Sequence, residues 1–419
     1  MGAVDVLSVN ALLWAVFLLG VKDPRNDFVR LVKRLPGEPR FPGATTNSEH
    51  KATDKTSRRQ EPPSRQRLEY DEIPYPADLV TRLSWVGTLL ISLRFADWKI
   101  GSHNHDRKQP APPTGRTHFN FIAYAVARSL VGFLLVDLTS YVISRDPYFT
   151  NTSVPLISLP SSAYMASLPP ALGSLYSAPL TTAALRATLT GAQAWALISQ
   201  QYYLPTVFPV ALHYFGLLPD TWSPHLWPRF FGPASIMLTR GLRGFWSTYW
   251  HQVMRFVVSG TGPAIVDLCL GGVRAKRSKG AEYTILTICA FGLSGFVHMG
   301  LVPREPLHSA VSANAVRLYI GAFFWVQPVG LLAETVIADG INRLVPGCVK
   351  DSRTGKALGR LAYMGWIFIW ACICFPLLGE AGRQLGWFEH YTVPWSALHY
   401  LQGKDAWMWS CLRDEARGL

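Results

Sequence analysis

HFNFIAYAVARSLVGFLLVDLTSYVI, residues 118–143, is apolar along nearly its whole length and carries two charged side chains, Arg128 and Asp137. A helix of that length crosses the roughly 30 Å of hydrocarbon in a bilayer. Arg128 and Asp137 stand nine positions apart, about 180° opposed on one helix, so they do not pair with each other. Each is expected to face another helix or a wet cavity, because a charge turned toward lipid is costly.

The same signature recurs along the chain. Apolar blocks run over Val4–Val21, Leu83–Phe95, Leu185–Leu218, a stretch ending at Gly272, Tyr283–Val302, Ala315–Ile337 and Leu361–Leu378. Of 419 residues 49% are hydrophobic and 16% charged, against about 25% charged in an ordinary soluble domain. Mean hydropathy is positive, +0.14. The 15 Trp, 16 Tyr and 21 Phe suit a chain whose amphipathic rings collect where hydrocarbon meets headgroups. These features predict an all-α, polytopic membrane bundle with about seven to nine membrane segments. No repeat of about 20 to 50 residues is visible, which excludes solenoids and propellers. The Leu83 run is short and bracketed by Arg82 and Arg94, so it reads either as a short span or as a helix lying in the interface.

The domain organisation follows from composition. Residues 1–21 read as a retained N-terminal membrane helix: no Lys or Arg precedes Val4–Val21 and no small-residue cleavage site follows it. Residues 22–80 read as a polar, basic cytoplasmic loop, disordered in part, with Pro, Ser, Arg and Lys dense in KATDKTSRRQEPPSRQR, 51–67. Residues 81–419 form the multi-pass domain, with a motif core over 222–300. The +13 formal charge, 40 Lys and Arg against 27 Asp and Glu, lies mainly between apolar blocks. It is read as topology and not as a nucleic-acid surface. Asn151-Thr152-Ser153 is a glycosylation sequon and predicts a lumenal loop bearing sugar on Asn151. The six cysteines form no C-x-x-C pair, so neither a disulfide framework nor a metal site is expected.

Two stretches carry chemistry. His298 lies in FGLSGFVHMG, 291–300, inside an apolar block, where a polar ionisable group must face protein or water. Ser294, four residues earlier, shares its helix face, and the small residues Gly292, Ser294 and Gly295 permit a close neighbouring backbone. A plain alternative is a neutral histidine bonded to a backbone carbonyl. The second stretch is FWSTYWHQ, 245–252, flanked by Arg240, Arg243 and Arg255. On a helix Trp246 and Trp250 stack one turn apart, while His251, Gln252 and the arginines supply donors. Its alternative is an interfacial aromatic belt with snorkelling arginines, although two Trp, a His and a Gln within seven residues exceed what anchoring requires.

Together these stretches resemble the membrane-bound O-acyltransferase superfamily, in its wax-synthase-like branch as found in fungal natural-product pathways. The residues that carry the resemblance are Pro228, Phe231-Gly232, Leu242-Arg243, Phe245-Trp246, Trp250-His251-Gln252, Arg255, Ser294-Gly295 and His298. It is strong over Trp222 to Met299 and elsewhere rests on hydropathy. Ser247 stands where the family often has Gly, and its Arg-Gly pattern appears only as Arg94-Phe95-Ala96-Asp97-Trp98.

The resemblance implies an acyl-CoA-dependent O-acyltransferase of the endoplasmic reticulum whose helices enclose a reaction tunnel. Such an enzyme takes acetyl-CoA as co-substrate, binds no permanent cofactor, and acts on a hydrophobic alcohol, a terpenoid or meroterpenoid of secondary metabolism. An alcohol is a poor nucleophile at neutral pH and needs a base, a task for which a neutral imidazole is suited. His298 takes that role. His251, with Gln252, Trp246 and Trp250, is expected at the thioester or pantetheine arm, Arg243 and Arg255 at the CoA phosphates, and Ser294 beside the substrate. There is no G-x-S-x-G elbow, phosphate loop or dinucleotide fingerprint. Two rivals stand: a long-chain fatty acyl-CoA wax or sterol ester synthase, and a transporter with His298, Arg128 and Asp137 along its path.

Overall fold

The computed structural model describes residues 15–34, 45–46, 69–91, 98–100, 117–219, 222–224, 227, 229–250, 260, 262–271, 278–300, 302–303 and 311–408. His251, Gln252 and Arg255, the run 51–67 and the first fourteen residues lie outside that set. The described chain falls into two compact units, residues 119–208 with 229–408, and residues 15–118 with 209–227.

Among the described residues, the strands of the chain lie in the second unit. Strands β1 (Phe28–Arg34), β2 (Thr45–Thr46), β3 (Glu69–Ile73) and β4 (Trp98–Ile100) form an antiparallel sheet in the order β2-β3-β1-β4. Its apolar side closes against helix α1 (Leu79–Ile91) through three fully buried rings. Trp85 and Trp98 meet edge to face at 4.7 Å between centroids, Phe28 packs on Trp98, and Trp85 Nε1 donates to the Ile73 carbonyl. Residues 28–34 and 69–73 therefore pair inside a segment whose average composition reads as loop. What that average hides is Phe28 and the distant Trp98, which give a short sheet something to bury. Helix α1 is 13 residues, about 20 Å, and so falls short of the hydrocarbon thickness.

The first unit is helical. Its main elements are α2 (His118–Ile143), α3 (Pro179–Tyr214), α4 (Met237–Gly244), α5 (Gly262–Leu270), α6 (Lys279–Met299), α7 (Ala313–Trp325), α8 (Gln327–Leu344) and α9 (Arg353–Gln384). Four stretches among the described residues are long and apolar enough to cross a membrane: His118–Ile143, Lys279–Met299, Ala313–Leu344 and Arg353–Gln384. The chain is a helical membrane protein. Helix α3 runs unbroken through Gln200, Gln201 and Pro205, as one long element and not two short ones.

The two charges on α2 find separate partners. The Arg128 guanidinium lies 5.0 Å from the Trp195 ring and 5.5 Å from the Tyr203 ring. Asp137 is buried and accepts from the Leu398 backbone N–H at 3.0 Å. Beyond α2, Asp146 and Arg186 form a fully buried ion pair at 2.7 Å.

Candidate active site

The stretch before the motif is shaped by one glycine and one carboxylate. Gly241 has φ +54°, a left-handed conformation that costs a residue with a side chain, and a Cβ there would also collide with the Glu334 carboxylate. The turn starts a new run of helix whose first amides lack intrahelical partners. Glu334 of α8 supplies them, accepting from Leu242 N at 2.6 Å and from Arg243 N at 3.0 Å. An anionic acceptor suits a helix start, where the peptide dipole is positive.

From there Phe245–Tyr249 winds as a π-helical turn, closed by Trp250 N to Phe245 O at 2.8 Å, and Trp250 itself is extended. Trp246 and Trp250 consequently meet edge to face, with centroids 5.8 Å apart and planes at 71°, instead of stacking as on a regular helix. Trp250 stacks on Phe245. The earlier part of the motif packs here as well: Phe231 stacks on Tyr249, and Gly232 N donates to Tyr249 O at 2.9 Å.

His298 lies one residue before the end of α6. Its Nδ1 is 2.7 Å from the Ser294 carbonyl, and its ring stacks on Phe324 of α7 with centroids 4.1 Å apart. A carbonyl oxygen only accepts, so Nδ1 carries the hydrogen. Neutral imidazole then has its lone pair on Nε2, which has no partner among the described residues. This is the backbone bond that the plain alternative foresaw; it occupies one ring nitrogen and orients the other. Ser294 contributes to it through its carbonyl. The close neighbour expected at Gly292 and Gly295 is a side chain and not a backbone: the Trp325 indole lies against Gly295 and donates to Gly292 O at 3.2 Å.

The two stretches meet through residues 323–327. Trp246 packs edge-on against Phe291 of α6 and against Phe323, while Phe324 carries the His298 ring. Leu242, Phe323, Phe324, Leu331 and Trp370 belong to one buried cluster, with Phe245, Trp246 and Phe291 packed on it. Beside it a cavity of about 400 Å³ is lined by Arg240, Arg243, Glu334, Thr335, Asp339 and Tyr363. The Arg243 guanidinium sits over the Tyr283 ring, 4.6 Å from its centroid. Glu334, Gln327 and Phe324 did not emerge from the sequence. Their signal was available as two polar residues, Gln327 and Glu334, seven apart in an apolar helix.

Residues 227–311, which hold this motif and both its stretches, match the family model described as the membrane bound O-acyl transferase family. That match, taken with the relatives, supports an O-acyltransferase enzyme. The acyltransferase is 26% identical over 328 residues to "Acetyltransferase eriL" of Hericium erinaceus, which covers 76% of this chain and 72% of that protein. It is 30% identical over 149 residues to "Acetyltransferase ataH" of Aspergillus terreus, covering 36% of this chain and 43% of the relative. With "Acetyltransferase TRI7" of Fusarium sporotrichioides it is 26% identical, over 41% of this chain and 37% of the relative. No solved structure matches the acyltransferase.

Proposed function

We propose that this acyltransferase moves an acetyl group from acetyl-CoA to a hydroxyl of a terpenoid or meroterpenoid, as a multi-pass enzyme of the endoplasmic reticulum. The observation that carries the chemistry is the His298 ring, with Nδ1–H tied to the Ser294 carbonyl and Nε2 without a partner among the described residues. Nε2 takes the proton from the acceptor hydroxyl as its oxygen attacks the thioester carbonyl carbon. The tetrahedral intermediate collapses, the carbon–sulfur bond breaks, and the leaving thiolate receives that proton from the imidazolium. Ester and free CoA result with no covalent acyl-enzyme.

Trp246 and Trp250, with His251 and Gln252 after them, line the pantetheine and thioester side. Arg243 faces the 400 Å³ cavity with Arg240, where two guanidinium groups suit the phosphates of CoA, and Arg255 joins them in this reading. Ser294 holds the base in place. The acetyl group is supported by the names of the three relatives. Asn151 is exposed in a turn where its Oδ1 accepts from Ser153 N, open to glycosylation on the lumenal side. Microsomes containing the enzyme, offered acetyl-CoA and palmitoyl-CoA with a terpenoid alcohol, test the donor. Acetyl ester is the expected product, and a preference for palmitoyl assigns the enzyme to wax or sterol ester synthesis instead.

A further inference from the structure

Within Phe323-Phe-Trp-Val-Gln-Pro328 helix α7 gives way to α8, with Val326 between them. Pro328 has no N–H to return to the Phe324 carbonyl, so the helix is interrupted beside the ring that carries His298. At the same break stands Gln327, whose side chain is fully buried. Its Oε1 accepts from two indoles on different elements, Trp246 Nε1 at 3.2 Å and Trp370 Nε1 at 2.9 Å. Its Nε2 donates to the Phe323 carbonyl at 2.7 Å. The amide orientation follows from the partners, since an indole N–H only donates and a carbonyl only accepts. Both lone pairs of Oε1 are engaged.

The geometry points to Gln327 as a positioning residue for the acyl donor, acting through the indole of Trp246. This rests on the proposed reading of Trp246 as part of the acyl-CoA site. The Trp246 indole sits on a π turn, which lacks the regular i to i−4 bonds that would hold it, and has Phe245, Trp250, Phe291 and Phe323 around it as apolar packing. Packing of that kind allows a ring to tilt. One hydrogen bond from a group anchored to the backbone of the neighbouring helix fixes the indole plane. The same six-residue junction presents Phe324 to His298, so base and donor-side indole are referenced to one short stretch of chain.

The test compares four variants in membranes, each assayed for both substrates. Gln327→Met keeps the volume and removes the acceptor. It is expected to raise KM for acyl-CoA about tenfold, the worth of one lost hydrogen bond, with kcat and the alcohol's KM little changed. Gln327→Glu retains an acceptor oxygen for both indoles and is expected to restore most of that loss. Trp246→Phe is expected to reproduce the Gln327→Met rise, whereas Trp370→Phe, which removes the other donor, leaves the acyl-CoA KM within about twofold. A fall in kcat with KM intact, no change in either, or equal effects of Trp246→Phe and Trp370→Phe overturns the assignment. If Gln327→Met fails to accumulate, the two tryptophan variants decide. The underlying reading fails separately, by wild-type enzyme that turns over no acyl-CoA.

Discussion

The buried Asp146–Arg186 pair and the His298 centre are both polar groups set into an apolar helical unit, and they are built on opposite terms. Around Asp146 every hydrogen-bonding atom is used. Arg186 binds both carboxylate oxygens, at 2.7 and 2.8 Å, and gives its remaining nitrogen to the carbonyls of Leu156 and Ser158. Asp146 also accepts from Tyr148 N and from the Tyr176 hydroxyl. Burial pushes the Tyr164 phenol up to about 12, and burial together with the Asp146 charge pushes Tyr176 higher still, so both remain donors at any physiological pH. At His298 one nitrogen is committed and the other has no partner among the described residues. A saturated cluster holds the loop after α2 in place and has no valence for a substrate; the unsaturated one is where a proton can move.

Breaking each side of this contrast should give different kinds of loss. The largest effect is expected from His298→Ala, which removes the base: acyl transfer falls at least about 10²–10⁴-fold, while protein level and membrane insertion persist. Turnover close to wild type in that variant removes His298 from the mechanism and returns the transporter reading to consideration. Asp146→Ala should do the reverse. It strands a buried guanidinium, a loss of about 3–5 kcal/mol, so the thermal midpoint and the amount of enzyme in membranes drop while the surviving enzyme keeps its KM values. A selective change in KM would mean that the ion pair belongs to the site. The smallest effect concerns Arg243→Gln at the exposed rim of the cavity. It should raise KM for acyl-CoA a few-fold and flatten its dependence on salt, because an exposed guanidinium acts on phosphate through a screened field. An unchanged salt dependence would remove Arg243 from the phosphate side.

The parts of this molecule legible in its sequence are those governed by local period and by compact motifs. The span His118–Ile143 has the limits that hydropathy sets, α6 covers its block with ends shifted by three or four residues, the block Ala315–Ile337 is divided between α7 and α8, and α9 overruns Leu361–Leu378 by eight residues at its start and six at its end. Trp246, Ser294 and His298 stand out because polar or aromatic types crowd into short stretches. Gln327 and Glu334 were hidden because the indoles and amides that they accept from lie 43 to 92 residues away, and no spacing rule connects a buried amide to an indole in another helix. The π turn escaped for a related reason. Its sequence reads as ordinary helix, and only the fixed ends, Leu242 and Arg243 held by Glu334 and Gly232 bonded to Tyr249, show why the chain takes a wider turn there. The small sheet was lost in an average, since Phe28 and Trp98 are 70 positions apart in a basic stretch.

The single amide that receives two indoles also bears on how this chain can diversify. Positions 246, 327 and 370 are tied as a set: replacing the glutamine alone strands two N–H groups in an apolar core, and replacing one indole leaves a lone pair there. Descendants are therefore expected to keep all three or to change them in concert, with an aliphatic residue at 327 arriving beside phenyl rings at 246 and 370. The lipid-facing sides of the same helices carry no such tie and are free to drift one residue at a time.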